Sequence, residues 1–551
     1  MGVPAHLLDM GVPAHLLVDH EVDHEVDHEV VIVGSGFAGI GQAIALKRTG
    51  TDDFVILEKA GALGGTWRDN TYPGCACDIP SHLYSFSYEL NPHWSRTYSP
   101  AAEIRRYLEH CSARYGVDPH LRFNQALVAA RYDEASGIWT LTIDGPDMDP
   151  DVDPDPDLGP DVGPDPATGR HEIRCRALVL ALGALHEPAY PDIPGLDGFT
   201  GSLMHTAIWD HSISLQGKHI GMLGTGASTI QVVPRIADQA AHLTVFQRTP
   251  PWILPKKDRE FSAARRARFA RFPLLARAER ARIYWQNESR VVAFARRPSL
   301  MRFVARLAGR HLRKQVLEPG LRAKLTPDYT IGCKRILMSN DYYPALTRQN
   351  VRLETAAIDH IDGPVVVTRD GAQHRLDALI LGTGFRVNGS YSRIDITGIQ
   401  GRNLAQEWAI APEAHLGLNI AGYPNLFTLV GPNTGLGHNS MIVMIEAQVE
   451  LVIQALQERA RRRATSIAVR PEVQDRYNTD LQERSRSAVW LTGCRSWYLD
   501  ASGDNRALWP ASTVAFRRLT KHLRQDDYWF GPSRPGASPD LRSDRPGQSW
   551  S

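Results

Sequence analysis

Cysteine is scarce in this chain, and its spacing excludes two classes of protein. The 551 residues include six cysteines, scattered at positions 75, 77, 111, 175, 333 and 494, and no two of them form a C-x-x-C motif. This absence argues against the flavin disulfide reductases and against a structural zinc site, because both rely on closely spaced cysteines. We therefore expect reduced thiols and no bound metal.

Net charge and long apolar runs are also lacking. Lys and Arg number 62 against 61 Asp and Glu, so the net charge of +1 gives no reason to expect a nucleic-acid partner. No run of 18 apolar residues exists that would span a membrane. The length predicts two or three domains. We expect a cytoplasmic protein and no membrane contact, and the sequence leaves the oligomeric state open.

Three segments have compositions that do not support a packed core. Residues 1–29 consist of duplicated tracts without the basic start of a signal peptide, and we expect a disordered extension. Residues 146–166 are rich in Asp, Pro and Gly and contain no basic residue, which predicts a solvated, disordered insert in a hairpin connection. Its D-x-D-x-D spacing lacks the glycine turn and closing glutamate of a calcium loop. A disordered tail is predicted for 531–551.

The strongest positive signal is a glycine-rich loop after a short apolar strand, predicted at residues 30–33. The loop reads Gly34-Ser35-Gly36-Phe37-Ala38-Gly39 and precedes a helix predicted at 40–48 and a strand at 54–57. In a βαβ unit the helix N-terminus binds a pyrophosphate, and an acid about 20 residues further on binds the ribose diol. Glu58 follows Gly36 by 22 positions. The unit therefore predicts a dinucleotide with a free adenosine ribose, which FAD has.

A second loop of the same kind carries a residue of opposite charge at the same distance. After a strand predicted at 219–223 the chain reads Gly224-Thr225-Gly226-Ala227-Ser228-Thr229, and Arg248 follows Gly226 by 22 positions. An arginine in this place pairs with a 2′-phosphate, which favours NADP. The alternative is a surface arginine and NAD. Thr229 stands where a third glycine or alanine is usual, and we expect looser packing of the helix on the strand there.

The order of these elements predicts an α/β fold with two Rossmann-like dinucleotide-binding domains, for FAD and NADP, and a helical insertion. The FAD-binding domain is predicted at 30–185 and 386–530, and the NADP-binding domain at 186–385 with its insertion at about 258–328. The insertion is rich in Arg, Ala and Leu at helical spacing, and we interpret it as a cover with a solvated arginine face rather than a membrane-binding helix. A strand at 425–430 and a glycine-rich turn at 431–437 lead into a helix at 440–461. We expect this turn to close the FAD site.

Two further stretches carry more specific patterns. Residues 199–210 fit F-x-G-x-x-x-H-x-x-x-W-[PD], with His205 and Trp209-Asp210 at the fixed positions, and residues 65–78 fit G-x-W-x-x-x-x-[FY]-P-G-x-x-x-D, ending at Asp78. Both patterns resemble the signatures of type I Baeyer–Villiger monooxygenases, a family of class B flavoprotein monooxygenases. The resemblance covers about residues 30 to 530. Flavin-containing heteroatom monooxygenases share the histidine motif but usually differ at the Trp209-Asp210 pair.

The resemblance implies a reaction and the residues that perform it. In this family NADPH reduces FAD, O2 then gives a C4a-peroxyflavin, and the peroxide attacks a ketone to yield an ester or lactone. Arg335 resembles the catalytic arginine, which stabilises the developing negative charge without giving up a proton. Asp78 is implied to orient Arg335, and Lys334 to join Arg248 at the 2′-phosphate. His205 resembles a hinge or coenzyme-positioning residue, and Trp497 a mobile-loop residue that closes over the nicotinamide.

We also assign individual cofactor contacts on these grounds. Besides the loop residues, the FAD contacts are predicted at Glu58, Lys59, Gly65, Thr66, Trp67, Asp78, Tyr84, Leu127 and Met441, and the NADP contacts at Gln231, Arg248, Thr249, Lys334, His205 and Trp497.

The expected partners are a small-molecule ketone and O2. The alternatives are S- or N-oxygenation of soft heteroatoms by the same peroxyflavin, or an NADPH oxidase that only releases hydrogen peroxide. Asp78 and the Trp209-Asp210 pair favour the ketone.

Overall fold

The computed structural model describes residues 25–145 and 169–532, apart from 388, 495 and 501. The insert predicted at 146–166 lies outside the described residues, as do most of the two terminal segments. Both terminal predictions are wrong at their inner ends. The first strand already begins at His28, where Glu29 pairs with Arg459, and the backbone N–H of Gly531 donates to the carbonyl of Ser466 (2.9 Å). Contacts with the folded core thus fix residues 28–29 and Gly531, although composition alone predicted disorder there.

In the described part of the chain twenty strands form, most of them within the two units predicted from the glycine-rich loops. They are β1 His28–Val33, β2 Phe54–Glu58, β3 Leu121–Phe123, β4 Ala126–Asp133, β5 Ile138–Asp144, β6 Arg170–Leu180, β7 Ser202–His205, β8 His219–Leu223, β9 His242–Phe246, β10 Ile253–Leu254, β11 Leu337–Met338, β12 Val351–Glu354, β13 Ile358–Asp362, β14 Val365–Thr368, β15 Gln373–Arg375, β16 Ala378–Leu381, β17 Asp395–Thr397, β18 Leu426–Thr428, β19 Ile467–Val469 and β20 Tyr528–Phe530.

Thirteen α-helices lie in the same described ranges. They are α1 Phe37–Arg48, α2 Thr66–Asp69, α3 Ala101–Arg114, α4 Thr229–Ile236, α5 Ala263–Arg271, α6 Pro273–Glu288, α7 Met301–Gln315, α8 Pro319–Lys324, α9 Tyr342–Leu346, α10 Leu404–Ile410, α11 Met441–Arg461, α12 Pro471–Ser485 and α13 Thr513–Leu519. None of these helices is both long enough and apolar enough to cross a bilayer.

The first sheet has eight strands and contains the first glycine-rich loop. Its order is β17-β4-β5-β6-β1-β2-β3, and β18 pairs with the last residues of β6. Strands β1 and β2 and the last residues of β6 are parallel and buried, so the centre of the sheet is apolar on both faces. The antiparallel pairing of β5 with β6 confirms the predicted hairpin across the acidic insert.

The second sheet is parallel and contains the second glycine-rich loop. Its order is β12-β9-β8-β16-β7, which places the loop after β8 in the middle of the sheet. The predicted loosening at Thr229 is wrong, since its side chain is fully buried. The threonine side chain fits because Gly382, which follows the neighbouring strand β16, has no side chain. A Cβ at Gly382 would come within 2.3 Å of Thr229 Oγ1. The glycine after β16 thus compensates for the threonine in the loop.

The insertion between the two halves of the second unit is helical, as predicted, and consists of α5 to α8. Its longest helix, α6, contacts the first unit through Arg280, whose Nη1 donates to the carbonyls of His82 (3.2 Å) and Leu83 (2.8 Å). These carbonyls directly precede Tyr84. The insertion is therefore anchored beside the predicted flavin contact.

The long helix α11 returns the chain to the first unit. Ser440 caps its N-terminus by accepting a hydrogen bond from the backbone N–H of Ile442 (3.3 Å), so the helix starts one residue after the predicted position. It packs against α1, where Ile445 lies 3.7 Å from the place a Cβ at Gly41 would take. The N-terminal end of α11 and the first glycine-rich loop therefore face the same region.

Candidate functional site

The first loop has the shape of a pyrophosphate cradle. A Cβ at Gly39 would lie 1.8 Å from the carbonyl oxygen of Gly34, so only glycine lets α1 pack this closely on β1. At Gly36 the nearest atom to such a Cβ would be the Cα of Gly65, 3.9 Å away, which leaves the loop backbone open to a ligand. Close packing at the third glycine and open space at the second are what a bound dinucleotide requires. The residues present therefore fit this cofactor class.

Glu58 lies at the carboxyl end of β2, beside this loop. Its Oε2 accepts hydrogen bonds from the backbone N–H (3.0 Å) and hydroxyl (2.7 Å) of Ser35, and its Oε1 lies 2.9 Å from Arg68 Nη1. A ribose diol would share the carboxylate with these partners. The neighbouring Lys59 points elsewhere, with its Nζ 3.4 Å from Glu187 Oε1.

Three of the predicted FAD residues form one aromatic cluster. The indole N–H of Trp67 donates to the hydroxyl of Tyr84 (3.2 Å), and the ring of Tyr84 packs edge-on against that of Phe37, with centroids 5.2 Å apart. Met441 is the first residue of α11. Leu127 differs, because its side chain is buried in the sheet core. Any contribution of Leu127 to cofactor binding would come from its backbone.

The second loop is equally open. A Cβ at Gly226 would meet nothing within 4 Å, and the hydroxyl of Thr225 donates to the carbonyl of Thr249 (2.8 Å), which holds the loop against the end of β9. Arg248 is exposed and makes no ion pair with any described carboxylate. Burial and repulsion by Arg248 lower the pKa of Lys334. Two cations that repel each other across a shared space form a favourable site for a phosphate.

Gln231 lies at the contact between the two units rather than at the coenzyme loop. Its Oε1 accepts a hydrogen bond from the hydroxyl of Tyr72 (3.0 Å), and its Nε2 donates to the carbonyl of Ala76 (3.0 Å). Both partners belong to the second sequence pattern, which ends at Asp78. Helix α4 thereby fixes the segment that carries this aspartate.

Arg335 and Asp78 lie together, although 257 positions separate them in sequence. Arg335 Nη2 donates to Asp78 Oδ2 (2.6 Å), and Nη1 donates to the carbonyl of Leu436 (3.0 Å). Their side chains are 31% and 38% exposed. Burial alone would raise the pKa of Asp78, but the charge and hydrogen bond of Arg335 hold that pKa below its usual value. In return, the charge of Asp78 raises the pKa of Arg335. The guanidinium is therefore a permanent cation, fixed at two of its nitrogens.

Tyr498 is a residue of this site that sequence reasoning missed. Its side chain is only 3% exposed. Burial raises the pKa of Tyr498 to about 12, partly offset by attraction to Arg335. The predicted loop residue Trp497 is 50% exposed and packs against Tyr498, with ring centroids 4.6 Å apart. In this structure Tyr498, and not Trp497, is therefore the neighbour of the arginine. Its position next to the tryptophan was the only available signal.

The same segment also corrects the expectation of reduced thiols. A disulfide joins Cys333 and Cys494, whose Cα atoms lie 6.2 Å apart, while the other four cysteines are free. The two cysteines are 161 positions apart. No sequence spacing therefore signals the pair, and only the tertiary fold brings them together.

Glu288 is a second missed residue. This carboxylate at the end of α6 is 5% exposed and accepts hydrogen bonds from Asn439 Nδ2 (2.6 Å) and the hydroxyl of Thr513 (2.7 Å), with His438 Nε2 at 3.6 Å. Burial alone would raise the pKa of Glu288, but these three contacts lower it to about 2. It holds the turn that includes Leu436, the backbone partner of Arg335. The helical insertion is thereby coupled to the arginine.

His205 lies at the end of β7, where the linker between the two units enters the second sheet. It is 1% exposed and packs against the rings of Tyr190 and Phe385. The backbone N–H of Ala207 donates to its Nδ1 (3.1 Å). Burial lowers the pKa of His205 to about 4, so the imidazole is neutral at pH 7. This environment does not suit a proton-transfer residue.

A cavity of about 750 Å3 separates the two units beside these residues. Trp67 and Gln231 line it, as does Lys256, whose charge also contributes to the lowered pKa of Asp78. Among the described residues no group of three or more His, Cys, Asp or Glu side chains is arranged to hold a metal ion. Charged side chains of both signs border this cleft, including Arg96, Lys256 and Asp258.

Known proteins share both the sequence and the fold. Residues 32–101 match the NAD(P)-binding Rossmann-like domain. A Baeyer-Villiger monooxygenase of Pseudomonas aeruginosa is 45% identical over 501 residues, covering 91% of this chain and 90% of the relative, and one of Streptomyces coelicolor is 43% identical, covering 92% and 94%. Among solved structures, cyclohexanone monooxygenase from Rhodococcus sp. Phi1 bound to NADP+ superposes with a TM-score of 0.79 at 26% identity, covering 92% and 99% of the two chains. The OTEMO complex with FAD and NADP has a TM-score of 0.79 at 26% identity, covering 92% and 100%.

Two dinucleotide cradles beside a fixed arginine–aspartate pair define the class as an oxidoreductase with two nucleotide cofactors. An identity of 45% over about nine-tenths of both chains also establishes the family of this protein. The chain belongs to the Baeyer–Villiger monooxygenases.

Proposed function

We infer that this enzyme uses NADPH and O2 to insert one oxygen atom beside the carbonyl of a ketone, giving an ester or lactone. The observation that carries this conclusion is Arg335, held by both Asp78 and the carbonyl of Leu436 between two dinucleotide cradles. The two-cofactor fold and the family membership support the same reaction. Oxygenation of sulfur or nitrogen by the same enzyme is the less favoured alternative.

FAD and NADP are the cofactors. The loop after β1, with Glu58 and the aromatic cluster of Phe37, Trp67 and Tyr84, would hold FAD, and the loop after β8 would hold NADP. When bound, FAD accepts a hydride from NADPH and activates O2 for transfer to the substrate. The protein must then orient both cofactors, keep water out and stabilise the negative charge that develops on the reacting oxygen atoms.

Arg335 is proposed to supply that charge stabilisation. An arginine suits the task because it remains protonated under all working conditions and so cannot quench a nucleophilic oxygen by giving up its proton. Asp78 and the carbonyl of Leu436 fix the plane of the guanidinium before the substrate arrives, which is the preorganisation that electrostatic catalysis requires. The buried Tyr498 is the aromatic neighbour of this cation.

The proposed coenzyme contacts predict a preference for NADPH over NADH. Arg248 and Lys334 would bind the 2′-phosphate, with Thr249 beside them, and the backbone at Gly226 would contact the pyrophosphate. His205 would act as a hinge at the junction of the two units rather than as a base, since its imidazole is neutral and buried. Trp497 would cover the nicotinamide when the loop closes.

We propose a domain division that follows the two sheets. The FAD-binding domain comprises 30–185 and 386–530, and the NADP-binding domain comprises 186–385 with the helical insertion at about 258–328. A cytoplasmic location is proposed because NADPH is the reductant.

The test is turnover of the FAD-loaded enzyme with NADPH in air, using cyclic, linear and aryl ketones and, in parallel, a thioether. We expect ester or lactone in amounts that match the NADPH consumed, and slower turnover with NADH. Hydrogen peroxide as the only product across the ketone panel would contradict the oxygenation. A protein that cannot be loaded with FAD would contradict the cofactor assignment itself.

A further inference from the structure

We propose that Cys333 and Cys494 form a reversible redox site, whose disulfide state holds the loop that carries Trp497 and Tyr498 beside Arg335. This inference rests on the proposed function, because the loop matters only if Arg335 and the coenzyme meet beside it. It adds to that function a control by thiol chemistry.

The position of the disulfide carries the argument. Cys333 directly precedes Lys334 and Arg335, while Cys494 lies three positions before Trp497 and four before Tyr498. The bond therefore connects the segment of the catalytic arginine to the loop that carries its neighbour Tyr498. A cross-link elsewhere in the fold would stabilise the protein without acting on this contact.

The loop has few other fixed points in its first half. Among the described residues, the hydroxyl and backbone N–H of Thr492 bond only to the carbonyl of Val489. Gly493 has a φ of +94°, and a Cβ there would meet nothing within 4 Å. On either side, Trp490 and Tyr498 are buried. Between these two anchors the disulfide is the long-range link among the described residues. Breaking it gives the loop freedom to move away from Arg335.

The two sulfurs differ in accessibility, and this difference decides which of them a reductant attacks first. Cys333 is fully buried, whereas Cys494 is half-buried and can be reached from solvent. The free cysteines are poorer candidates: burial raises the pKa of Cys75 to about 11 and that of Cys111 to about 12, so neither forms a thiolate near pH 7. Redox chemistry should therefore be selective for the Cys333–Cys494 pair.

Reduction requires a cellular dithiol. One thiolate of the dithiol attacks Cys494 Sγ, the Cys333–Cys494 bond breaks, and Cys333 leaves as a thiolate that takes up a proton. The second thiol of the reductant then displaces Cys494, so the protein gains two electrons and two protons and the reductant becomes a disulfide. In a reducing cytoplasm, disulfides that do form are usually transient and redox-sensing.

Reoxidation requires hydrogen peroxide, which flavin monooxygenases release whenever reduced O2 is not transferred to a substrate. The Cys494 thiolate attacks one peroxide oxygen and forms a sulfenic acid, with loss of hydroxide that becomes water. The Cys333 thiol then displaces the second oxygen as water and restores the disulfide. An open loop that leaks peroxide would thereby be closed again by its own by-product.

The first experiment measures the redox state and the loop directly in the FAD-loaded enzyme. We expect four alkylatable thiols after treatment with peroxide and six after a dithiol, with a 333–494 cross-linked peptide only in the former. Hydrogen–deuterium exchange of the peptide around residues 491–499 should rise on reduction, while exchange around the free Cys111 in α3 stays constant. Six free thiols after peroxide treatment, or unchanged exchange in the loop, would overturn the inference.

The second experiment measures the ratio of ester to hydrogen peroxide per NADPH consumed. We expect that ratio to fall several-fold on reduction and to recover after reoxidation. Cys494→Ser should show the reduced ratio with or without dithiol, and the matched control Cys111→Ser, in α3 away from the site, should behave as the wild type. If ester forms at the same ratio in both redox states, the redox site is wrong but the function stands. If no state forms ester, the proposed function is wrong, and the thiol count and loop exchange still decide the redox site.

Discussion

Replacing Arg248 by alanine tests the coenzyme site most sharply, because NADH and NADPH differ only at the 2′-phosphate. A phosphate monoester carries about 1.5 to 2 negative charges at pH 7. A hydrogen bond to a charged group contributes about 1.5 to 3 kcal/mol, and 1.4 kcal/mol corresponds to about a factor of ten. We therefore expect Arg248→Ala to lower kcat/KM for NADPH by about 10- to 150-fold.

The second cation of this site should contribute less. Lys334 acts as a point charge without the fork of an arginine, and its Nζ also lies 4.9 Å from the centre of the Tyr329 ring. Because Arg248 and Lys334 repel each other in the free enzyme, removal of one relieves that repulsion for the other. We expect the double variant to lose less than the product of the two single losses.

The assay is steady-state oxidation of NADPH and of NADH by the same preparations, at low and high salt. The loss should be confined to NADPH and should shrink as salt screens the phosphate. Arg369→Ala is the matched control, since it removes an exposed arginine of the same unit at the β14–β15 turn. Equal losses with the two coenzymes, or a similar loss in the control, would refute the assignment of Arg248.

Three further predictions concern the loop, the arginine and the turn. Gly226→Ala should fold normally, since a Cβ there meets nothing within 4 Å, yet it should raise KM for NADPH. The control Gly198→Ala, equally unhindered, should fold normally with an unchanged KM, and a normal KM in both variants would count against the cradle. Arg335→Lys cannot make both hydrogen bonds of the guanidinium, so its kcat for ester formation should fall by about 10²- to 10³-fold. NADPH oxidation should continue, with release of hydrogen peroxide. Ester formation at the wild-type rate would exclude the arginine from catalysis. Glu288→Gln should destabilise the fold by about 1 to 3 kcal/mol in urea titrations. Because its pKa of about 2 lies below the usual 4.5, the charge of Glu288 stabilises the wild type above pH 4.5, and this contribution is lost as the pH falls toward 2. The Gln variant should lack this pH-dependent contribution. If the free energy of unfolding falls equally with pH in the variant and the wild type, the role of Glu288 is contradicted.

The parts of the fold that depend on local spacing could be predicted from sequence. The strand, glycine-rich loop, helix and second strand up to Glu58 lie within about 30 residues, so hydrophobic runs and turn residues suffice to place them. The helix α11 was also predicted to within one residue because its cap, Ser440, is local. Arg335 and Asp78, in contrast, were paired only through family resemblance.

What could not be predicted depends on contacts between distant segments. The disulfide partners, the carboxylate of Glu288 and the carbonyl of Leu436 carry no local pattern, because each becomes a neighbour of the site only after folding. The misjudged packing at Thr229 has the same origin, since the compensating Gly382 lies more than 150 positions away. A backbone carbonyl can come from any residue type. Sequence patterns therefore contain no signal for Leu436.

The pairing of β18 with β6 has a consequence for the order of events during synthesis. Leu426 pairs with Leu178, so the first sheet is completed only when the last third of the chain arrives. At about 5 to 20 residues per second, the intervening stretch of about 250 residues takes roughly 12 to 50 s to translate. The strands of the second sheet all lie between Ser202 and Leu381, so this sheet can fold on the ribosome during that interval. The last residues of β6 remain unpaired on the side that β18 later occupies. We therefore expect the nascent chain to complete the second sheet before the first.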